Sequence, residues 1–596
     1  MTEGKVLLPN SFPNYRLDSV GPRRSARGGG VVMERLFLIF TFALSLLAPA
    51  PCRAQERAAK PALATERVDA LFAQWDGPDS PGCALAVIKD GRVIYKRGYG
   101  NANLDYAIPI SSLSVFNIAS TSKQFTAASV ALLTTQGKIS LDDEIRKYLP
   151  ELPPYSPPVT VRHLIYHTSG MREYSHLMQL AGIRFQDAPD EEVLKMIVRQ
   201  KELNFKPGDE YLYSNSGYFL LAQMVKRVSG KSLREFAAEN FFKPLGMVNT
   251  RFHDDSTEVI KNRATGYSYR KGGGFSVERT ISDHIGDGGL LTTIDDLILW
   301  DRMFYGNELG GGQELINLLL TPGTLNNGGK INYVFCLDIE QYKGSKLFGH
   351  GGAYFGFNSD MVRFPDERFS VICLCNLSQI ESGRLTRQVA DIYLADVFKK
   401  GEAVGTASAP AAKVIRVPEQ ELDAVAGSYF NSASNNFRRL YVRGGQLIYS
   451  RGSSESELAP LGKGRFLMLG VPDRIEISFK APRPGAPLQM FTSANGGKPI
   501  VHERVEPASY TPEQLAQFAG TYYSEEIDAT YTIYLQSDKL VLRRKNVDDA
   551  PLQLLFADTF SSVGSGTLNF TRDKQNHISG FLVNTGRVRN LRFNKA

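Results

Sequence analysis

The pattern of apolar and polar positions predicts strands at both ends of residues 55–400 and helices between them. Two hairpins are predicted from strand-like runs around short turn sequences: Cys83–Ile88 and Arg92–Arg97 around Asp90-Gly91, and Phe357–Phe364 and Arg368–Asn376 around residues 365–367. Helical stretches that end at a glycine predict helices over Gln124–Gln136 and Gly217–Val228. This order indicates an α+β fold in which one antiparallel sheet, closed by the first and last segments, is flanked by helices.

A different pattern begins after residue 418, where short runs rich in β-branched and aromatic residues predict strands alone. Glu419–Phe430 and Pro512–Tyr523 share a Leu, an Ala-Gly pair, a hydroxyl residue and a Tyr at matching places. We interpret this as a repeat of two small antiparallel β-barrels, over residues 419–508 and 509–596. Chance similarity between two helix-to-strand junctions is the alternative. Residues 401–418 are small and polar and predict a linker.

Composition excludes several classes of protein. The 596 residues are 42% hydrophobic and 22% charged, which is ordinary for a globular protein and excludes wholesale disorder, collagen and coiled coil. More than half of the net charge of +7 lies in residues 1–54. A basic footprint for nucleic acid is therefore not supported.

The N-terminal segment predicts export. Met33-Glu34-Arg35 precedes an apolar run, Leu36–Ala48, and small residues follow up to Ala54. This is the order of a secretory signal peptide, and we expect cleavage after Ala54 and a periplasmic or secreted protein. The run is shorter than the about 20 residues of a membrane-spanning helix, although an uncleaved anchor is the alternative. Met33 is an alternative start to Met1.

Four cysteines remain after Ala54, too few for a disulfide framework, although export would permit a bridge: Cys83, Cys336, Cys373 and Cys375. Cys373 and Cys375 lie two apart in an apolar run, so we expect them to share one buried face of a strand. The chain contains no Cys-x-x-Cys pair. Zinc bound by cysteines is therefore not expected.

Candidate chemistry begins with Ser120-Thr121-Ser122-Lys123 at the start of the first predicted helix. Serine and lysine three apart share one face of a helical turn, and a helix N-terminus favours negative charge on a nucleophile. A lysine kept neutral by burial could take the serine proton. The spacing alone is a weak signal, since Ser268 and Lys271 also match it in a predicted loop.

Two further segments strengthen the first match. Tyr213 and Asn215 stand two apart before the second predicted helix, where they could present a phenol for proton transfer and an amide for holding substrate. Taken alone, Asn215 is more simply a helix cap. The stretch His350-Gly351-Gly352-Ala353 adjoins the second hairpin, and its glycines allow substrate to approach the main chain. The Ala353 N–H could join the Ser120 N–H in an oxyanion hole; the alternative is an ordinary turn.

The three motifs occur in the order Ser-x-x-Lys, Tyr-x-Asn, His-x-Gly. With this order, residues 75–395 resemble the class C-like branch of the serine β-lactamase and penicillin-binding-protein superfamily. Further matching stretches are Ile118–Ala127, Leu141-Asp142-Asp143, Arg162-His163-Leu164, His167-Thr168-Ser169-Gly170, Pro244-Leu245-Gly246-Met247 and Gly288-Gly289-Leu290. The resemblance implies that Ser120 is the acylated nucleophile, Lys123 its base partner and Tyr213 a proton relay. It also implies that four residues bind substrate: Asn215, His350, Gly352 and Ala353. His350 and Gly352 would lie on the edge strand of the sheet.

The resemblance extends to domain organisation. It implies a β-lactamase/transpeptidase-like serine hydrolase domain over residues 55–400. The two barrels are similar to the lipocalin-like domains that follow the catalytic domain in some D-aminopeptidase-type members. Their role, either to shape the catalytic cleft or to hold a ligand, stays open.

At one position the sequence differs from the superfamily pattern, and this difference reduces the range of activities that we expect. The β-lactamases of the superfamily and most of its DD-peptidases carry a lysine where this chain has His350. A histidine is mostly neutral at pH 7, so the fixed positive charge that binds a substrate carboxylate is missing there. We therefore expect a D-aminopeptidase- or DD-peptidase-like hydrolase of a peptide or small molecule rather than a β-lactamase. An esterase, or a catalytically silent binding or sensing protein, is the alternative.

Rival active sites are less well supported. His163 and His167 have the spacing of a helical zinc pair, but Leu164 stands where the zinc-protease motif has Glu, and no third ligand is evident. No Gly-x-Ser-x-Gly occurs, which excludes the nucleophile elbow of an α/β-hydrolase. We expect no metal or organic cofactor and no nucleic-acid partner, and the oligomeric state is left open.

Overall fold

The computed structural model describes residues 53–184, 188–279, 283–306, 309, 312–398, 415, 417–451, 454–471, 474–483, 485–494, 497 and 499–596. Residues Lys60–Ala596 form one compact unit. Nearly all of the predicted signal peptide and of the predicted linker, residues 401–418, lies outside the described residues, so both assignments stay predictions.

The described part of the chain before residue 400 alternates strands and helices. Its strands are β1 Cys83–Lys89, β2 Arg92–Tyr99, β3 Asn101–Asn103, β4 Ile108–Pro109, β5 Phe116–Asn117, β6 Arg251–Phe252, β7 Gly266–Tyr269, β8 Phe275–Glu278, β9 Leu290–Thr292, β10 Asp338–Tyr342, β11 Ser345–Tyr354, β12 Phe357–Phe364 and β13 Phe369–Cys375. Its α-helices are α1 Arg53–Phe72, α2 Lys123–Thr135, α3 Val161–Ile165, α4 Tyr174–Leu180, α5 Asp190–Val198, α6 Asn215–Ser229, α7 Leu233–Ala237, α8 Lys243–Leu245, α9 Ile294–Gly306, α10 Gly312–Leu319 and α11 Ser382–Tyr393.

The central sheet is antiparallel and has the order β10-β11-β12-β13-β1-β2. Strand β1 pairs with β2 on one side and with β13 on the other, so the first and last segments close one sheet as predicted. Both predicted hairpins are confirmed. Asp90 and Gly91 have φ values of 51° and 74°, the positive values that the first turn requires.

Both faces of the sheet are buried. Along β1, Cys83, Leu85 and Val87 face a core that includes Val68 and Phe72 of α1, while the alternate residues face the core formed with α2 and α6. The Cys83 and Cys375 sulfurs form a disulfide across the strand pair. Cys373 is buried on the same face, as predicted, with its Sγ 3.5 Å from that of Cys375.

The repeat after residue 418 is confirmed as two β-barrel-like sheets. The first is a closed barrel of β14 Gly427–Asn431, β15 Asn436–Arg443, β16 Gln446–Arg451, β17 Ser454–Gly462, β18 Arg465–Met468, β19 Ile475–Lys480, β20 Gln489–Ala494 and β21 Ile500–Val505. The second is a nearly closed sheet of β22 Gly520–Ser524, β23 Ala529–Gln536, β24 Lys539–Arg544, β25 Val547–Pro551, β26 Gln553–Phe556, β27 Thr559–Ser562, β28 Gly566–Arg572, β29 Ile578–Thr585 and β30 Val588–Lys595.

Each barrel begins with the repeated motif. Helices α12 Glu419–Val425 and α13 Pro512–Ala516 lead into β14 and β22 through Gly427 and Gly520, whose φ values are 150° and 149°. The repeated tyrosine has one role in both barrels, since its hydroxyl donates to the carbonyl oxygen four residues earlier: Tyr429 to Val425 at 2.8 Å and Tyr522 to Phe518 at 2.7 Å. The two motifs therefore share backbone and side-chain geometry as well as residues.

The two barrels differ in how they pack. The interior of the second barrel, including Phe518 and Tyr522, belongs to the hydrophobic core that also contains α2 and α6. The first barrel has a separate core around Tyr429. The second barrel is thus part of the body that carries the candidate site. In the described residues no helix has the length and apolar character needed to cross a membrane.

Candidate active site

Ser120 lies on a strained turn between β5 and α2. A 3₁₀ turn, Ala119–Ser122, precedes the helix, and Ala119 has a φ of 48°, a left-handed value that is uncommon for alanine. The Asn117 side-chain oxygen accepts the Ala119 N–H at 2.8 Å and stabilises this conformation. Strand β9 pairs with β5 and anchors it, so the serine hydroxyl is presented from a fixed main chain.

Lys123 is fully buried and lies beside the serine. Its Nζ donates to Ser120 Oγ at 3.1 Å and also to the carbonyl oxygen of Asp287. Burial lowers the pKa of Lys123 to about 8, although the nearby Asp287 carboxylate opposes this shift. A substantial fraction of neutral amine is therefore available near physiological pH to accept the serine proton.

Tyr213 lies in the same cluster of side chains as Ser120 and Lys123. Lys123 Nζ lies 5.1 Å from the centre of the Tyr213 ring, and the Tyr213 and His167 ring centroids are 4.2 Å apart. The buried Tyr213 hydroxyl has no hydrogen bond of normal geometry to a described residue. Burial raises its pKa well above 10, while the nearby Ser120 hydroxyl opposes this rise. The phenol is thus protonated at neutral pH.

Asn215 does not cap its helix. Helix α6 begins at Asn215, and Ser214 is its N-cap residue. The Asn215 N–H donates instead to the Glu173 carboxylate at 2.6 Å. Its side-chain Oδ1 is buried without a hydrogen-bond partner among the described residues, and Asn215 lines the pocket at Ser120. The capping alternative is therefore wrong, and the side-chain oxygen is available to a ligand.

His350 carries no charge at neutral pH. Burial and the neighbouring Lys123 lower its pKa to about 4. Its Nδ1–H donates to the carbonyl oxygen of Gly351 at 2.6 Å, which leaves Nε2 as an unpartnered acceptor among the described residues. The absence of a fixed positive charge, expected from the residue type, is reinforced by this environment.

Gly352 packs against the turn that carries Ser120. A Cβ atom there would stand 2.3 Å from the Ile118 carbonyl oxygen and 2.9 Å from the Ser120 nitrogen. The glycine is thus required by the close approach of the two protein segments. It also places the next residue, Ala353, beside Ser120 in the wall of the same pocket.

The position of β11 corrects one expectation. β11 is the second strand of the sheet, and β10 is its edge strand. However, β10 pairs with β11 only up to Gly349 in the described part of the chain. Among the described residues, no strand pairs with His350 to Tyr354 on the side away from β12, because β10 is too short to reach this stretch.

Sequence reasoning missed residues that come from distant segments. Glu173 holds the start of α6, and Asp287 contributes a carbonyl oxygen to Lys123 and a carboxylate to the pocket. Arg587, in the turn between β29 and β30 of the second barrel, also lines the pocket, with its Nη1 3.6 Å from Glu173 Oε2. No local motif marks these positions, and only the fold brings them together.

The two histidines with zinc-like spacing have separate partners. His163 Nδ1 accepts the Thr160 N–H at the start of α3. His167 Nδ1 accepts the Ser214 N–H at 3.1 Å, and its Nε2 hydrogen-bonds with the Tyr333 hydroxyl. His167 therefore supports the segment that carries Tyr213. In the second Ser-x-x-Lys match, Ser268 Oγ donates to Glu278 between β7 and β8.

Comparison with known proteins agrees with this architecture. The Beta-lactamase family model matches residues 68–394, more than half of the chain. A D-aminopeptidase of Gluconobacter oxydans is 28% identical over 78% of this chain and 84% of its own length. Penicillin-binding protein 4* of Bacillus subtilis is 30% identical over 50% of this chain and 68% of its own.

A solved structure shows the same fold. The octameric penicillin-binding protein homologue from Pyrococcus abyssi aligns with a TM-score of 0.50 and 22% identity, over 82% of this chain and 98% of its own. Family membership rests on the family model and the curated relatives, and the motif residues occupy one site in the matched region. The chain therefore belongs to the beta-lactamase family, and it is a serine hydrolase.

Proposed function

We propose that this protein is an exported serine hydrolase that cleaves an amide bond through a covalent acyl-Ser120 intermediate, with a D-aminopeptidase-like peptidase activity favoured. The observation that carries the proposal is the Lys123–Ser120 contact of 3.1 Å, made by a buried amine whose pKa is lowered to about 8. Such an amine is poised to act as a general base near neutral pH.

The reaction follows from this arrangement. Ser120 Oγ attacks the substrate carbonyl carbon while its proton moves to neutral Lys123. The N–H groups of Ser120 and Ala353 stabilise the oxyanion, and the protonated Tyr213 phenol relays a proton to the leaving nitrogen. Water then attacks the acyl-enzyme and releases the acid. Asn215, with its unpartnered oxygen, contacts the substrate amide.

Asp287 favours a peptidase whose substrate carries a free amino group over an esterase. This residue lines the pocket, and its Oδ2 accepts from the Tyr174 hydroxyl at 3.0 Å while its buried Oδ1 has no partner among the described residues. An unpartnered carboxylate oxygen attracts an ammonium group. One of the relatives reported above is a D-aminopeptidase, in keeping with this class.

Export is supported by the Cys83–Cys375 disulfide in addition to the predicted signal peptide. Stable disulfides belong mainly to oxidising compartments such as the periplasm. We therefore propose a periplasmic or secreted mature chain that begins at Gln55. Its hydrolase domain would end near residue 400, and two lipocalin-like domains would cover residues 419–508 and 509–596.

The test is hydrolysis of paired D- and L-amino-acid amides and esters by residues 55–596. Wild type should prefer a D-amino-acid amide with a free amino group, and Ser120→Ala should lose the activity. Ser268→Ala, in the second Ser-x-x-Lys match, is the matched control and should retain it. Retention of activity by Ser120→Ala would overturn the proposal. If amino-acid amides with a free amino group and their N-acetylated counterparts were hydrolysed at equal rates, the esterase alternative would be favoured instead.

A penicillin tests the role of His350. Because this imidazole is neutral, we expect slow acylation by penicillin compared with the best amide substrate. Rapid, stable acylation would show that the site binds the β-lactam carboxylate without a lysine at position 350. The favoured activity would then be that of a cell-wall peptidase.

A further inference from the structure

Arg263 is a cation in the pocket wall, and it has no ion-pair partner among the residues that the structure describes. It lies between β6 and β7, and its main chain runs beside the strand that leads to Ser120: the Val115 N–H donates to Asn262 O and the Ala264 N–H to Val115 O, both at 2.9 Å. The Arg263 side chain is half-buried and lines the same pocket as Ser120 and Ala353. The fold thus fixes a guanidinium near the nucleophile.

The neighbouring arginines show what is unusual about Arg263. Arg251 pairs with Glu258 at 2.9 Å, and Arg234 pairs with both Asp254 and Glu258. Arg587, which lines the same pocket, pairs with Glu173 at 3.6 Å. Among the described residues, Arg263 makes no ion pair or side-chain hydrogen bond.

Burial is the cause of the lowered pKa of Arg263, and no carboxylate in the described part of the chain lies close enough to oppose it. A guanidinium stays protonated in proteins even so. A charge that is partly removed from water without a counter-ion is unfavourable, and an anionic ligand would relieve this cost.

His253 supplies a second polar group at the same place. It is 6% exposed and lines the pocket, and its Nε2 has no hydrogen-bond partner among the described residues. Burial lowers its pKa, and Arg263 lowers it further, so the imidazole is neutral at pH 7. The ring can donate a hydrogen bond from Nε2 to an oxyanion while Arg263 supplies the charge.

The other charged groups of the pocket are already engaged or have the opposite sign. Glu173 binds the start of α6 and Arg587, Lys123 binds Ser120, and Asp287 carries a negative charge. His284 also lines the pocket, and its Nε2 hydrogen-bonds with the Tyr174 hydroxyl. An anionic group on a ligand would therefore be drawn to Arg263.

We propose that Arg263, together with His253, binds a carboxylate of the substrate at a distance from the bond that Ser120 cleaves. This inference rests on the proposed function and specifies its substrate class: amides that carry an anionic group as well as the reacting carbonyl. With Asp287 as a site for an ammonium group, a small peptide with both ends free satisfies both charges. Arg263 is then a specificity-determining residue.

The test uses two matched series of fluorophosphonates with alkyl chains of increasing length, ending in a carboxylate or in a primary amide. Ser120 Oγ attacks phosphorus and fluoride leaves, so the labelling rate reports access to the nucleophile with either chain end. The measured quantity is the ratio of labelling rates, carboxylate over amide, at each chain length. Wild type should prefer the carboxylate at one or more chain lengths by about 10- to 100-fold, the range for a charge-assisted hydrogen bond.

Variants identify the residue responsible. Arg263→Gln should abolish the carboxylate preference, and Arg263→Lys should retain part of it, because the charge remains but the two-pronged donor is lost. The matched control is Arg270→Gln, which removes the same charge from an exposed turn and should leave the ratio unchanged. The amide probe serves as the internal reference for folding in every variant.

The outcomes are distinct. Equal rates for both probes in wild type at every chain length would overturn the carboxylate site and leave the proposed function intact. Loss of the preference in Arg587→Gln but not in Arg263→Gln would also overturn it. Failure of both probes to label Ser120 would overturn the proposed function, and the inference would fall with it.

Discussion

Arg172 of the catalytic region and Glu526 of the second barrel form a buried ion pair, with Nη1 2.6 Å from Oε2. The Arg172 side chain is fully buried and also donates to the carbonyl oxygens of Arg589 and Asn590. These two residues lie just after the turn that carries Arg587 into the pocket. The ion pair therefore couples the placement of the second barrel to the composition of the active site.

Removal of Glu526 tests this coupling. Glu526→Ala leaves the buried Arg172 charge with only the exposed Glu202 carboxylate, 3.9 Å from Nη2, and we expect a loss of about 3–5 kcal/mol in the free energy of unfolding. Urea unfolding measures this loss. The matched control is Glu525→Ala, whose partner Lys201 is exposed, and it should change the stability far less, because solvent screens that pair. Equal effects of the two substitutions would contradict the structural role of the buried pair.

The pH dependence of acylation should report Lys123. Its pKa is lowered to about 8, and only the neutral amine accepts the Ser120 proton. The rate should therefore rise nearly tenfold per pH unit below about pH 8 and level off above it. Tyr213 stays protonated through this range because its pKa lies well above 10, and His350, with a pKa of about 4, stays neutral.

Labelling rates measured across the pH range check this prediction. Lys123→Arg keeps a permanent charge at the position and should lose both the activity and the rise with pH. A rate that is independent of pH between about pH 6 and pH 8 would contradict the assignment of Lys123 as the base.

Gly352 should tolerate no side chain. In Gly352→Ala the new methyl group would meet the Ile118 carbonyl oxygen at 2.3 Å, so β11 or the Ser120 turn must move. We expect a loss of about 1–3 kcal/mol in stability and at least a tenfold slower labelling of Ser120. Gly351→Ala is the matched control, since its nearest contact is 3.3 Å from Asp360 Oδ1. An effect of Gly351→Ala as large as that of Gly352→Ala would argue against the close approach.

The disulfide should stabilise the central sheet. Replacement of both Cys83 and Cys375 by alanine should lower the free energy of unfolding by about 2–4 kcal/mol. A reductant should lower the stability of the wild-type protein to a similar extent and leave the double variant unchanged. Thermal unfolding with and without dithiothreitol measures both effects, and a wild type that is insensitive to the reductant would contradict the bridge.

Local patterns in the sequence were sufficient for much of the fold. Asp90-Gly91 predicts the first hairpin because few other dipeptides reach its φ values, and Gly230 at φ 73° ends α6 where a glycine was expected. The short edge strand β10 was not predicted, since Asp338–Tyr342 mixes polar and apolar residues without a clear period. Its limited length is what leaves the end of β11 uncovered.

The candidate site also contains residues that the sequence could predict and residues that it could not. The sequence predicts the residues that stand in short motifs, because the residue types and their spacing point to a known chemistry: Ser120, Lys123, Tyr213 and Asn215. Arg263 and Arg587 belong to no motif. Each is a single arginine that reaches the pocket only because distant segments pack together. The barrel repeat was visible in the sequence, but the packing of the second barrel on the region that carries the site depends on long-range contacts such as Arg172 with Glu526.

The most direct test of the central claim is intact-protein mass spectrometry of residues 55–596 after incubation with a fluorophosphonate. The account predicts one adduct per chain on wild type, mapped to Ser120 by peptide analysis, and no adduct on Ser120→Ala. An equal adduct on both proteins, or none on a folded wild type, would contradict Ser120 as the nucleophile of this hydrolase.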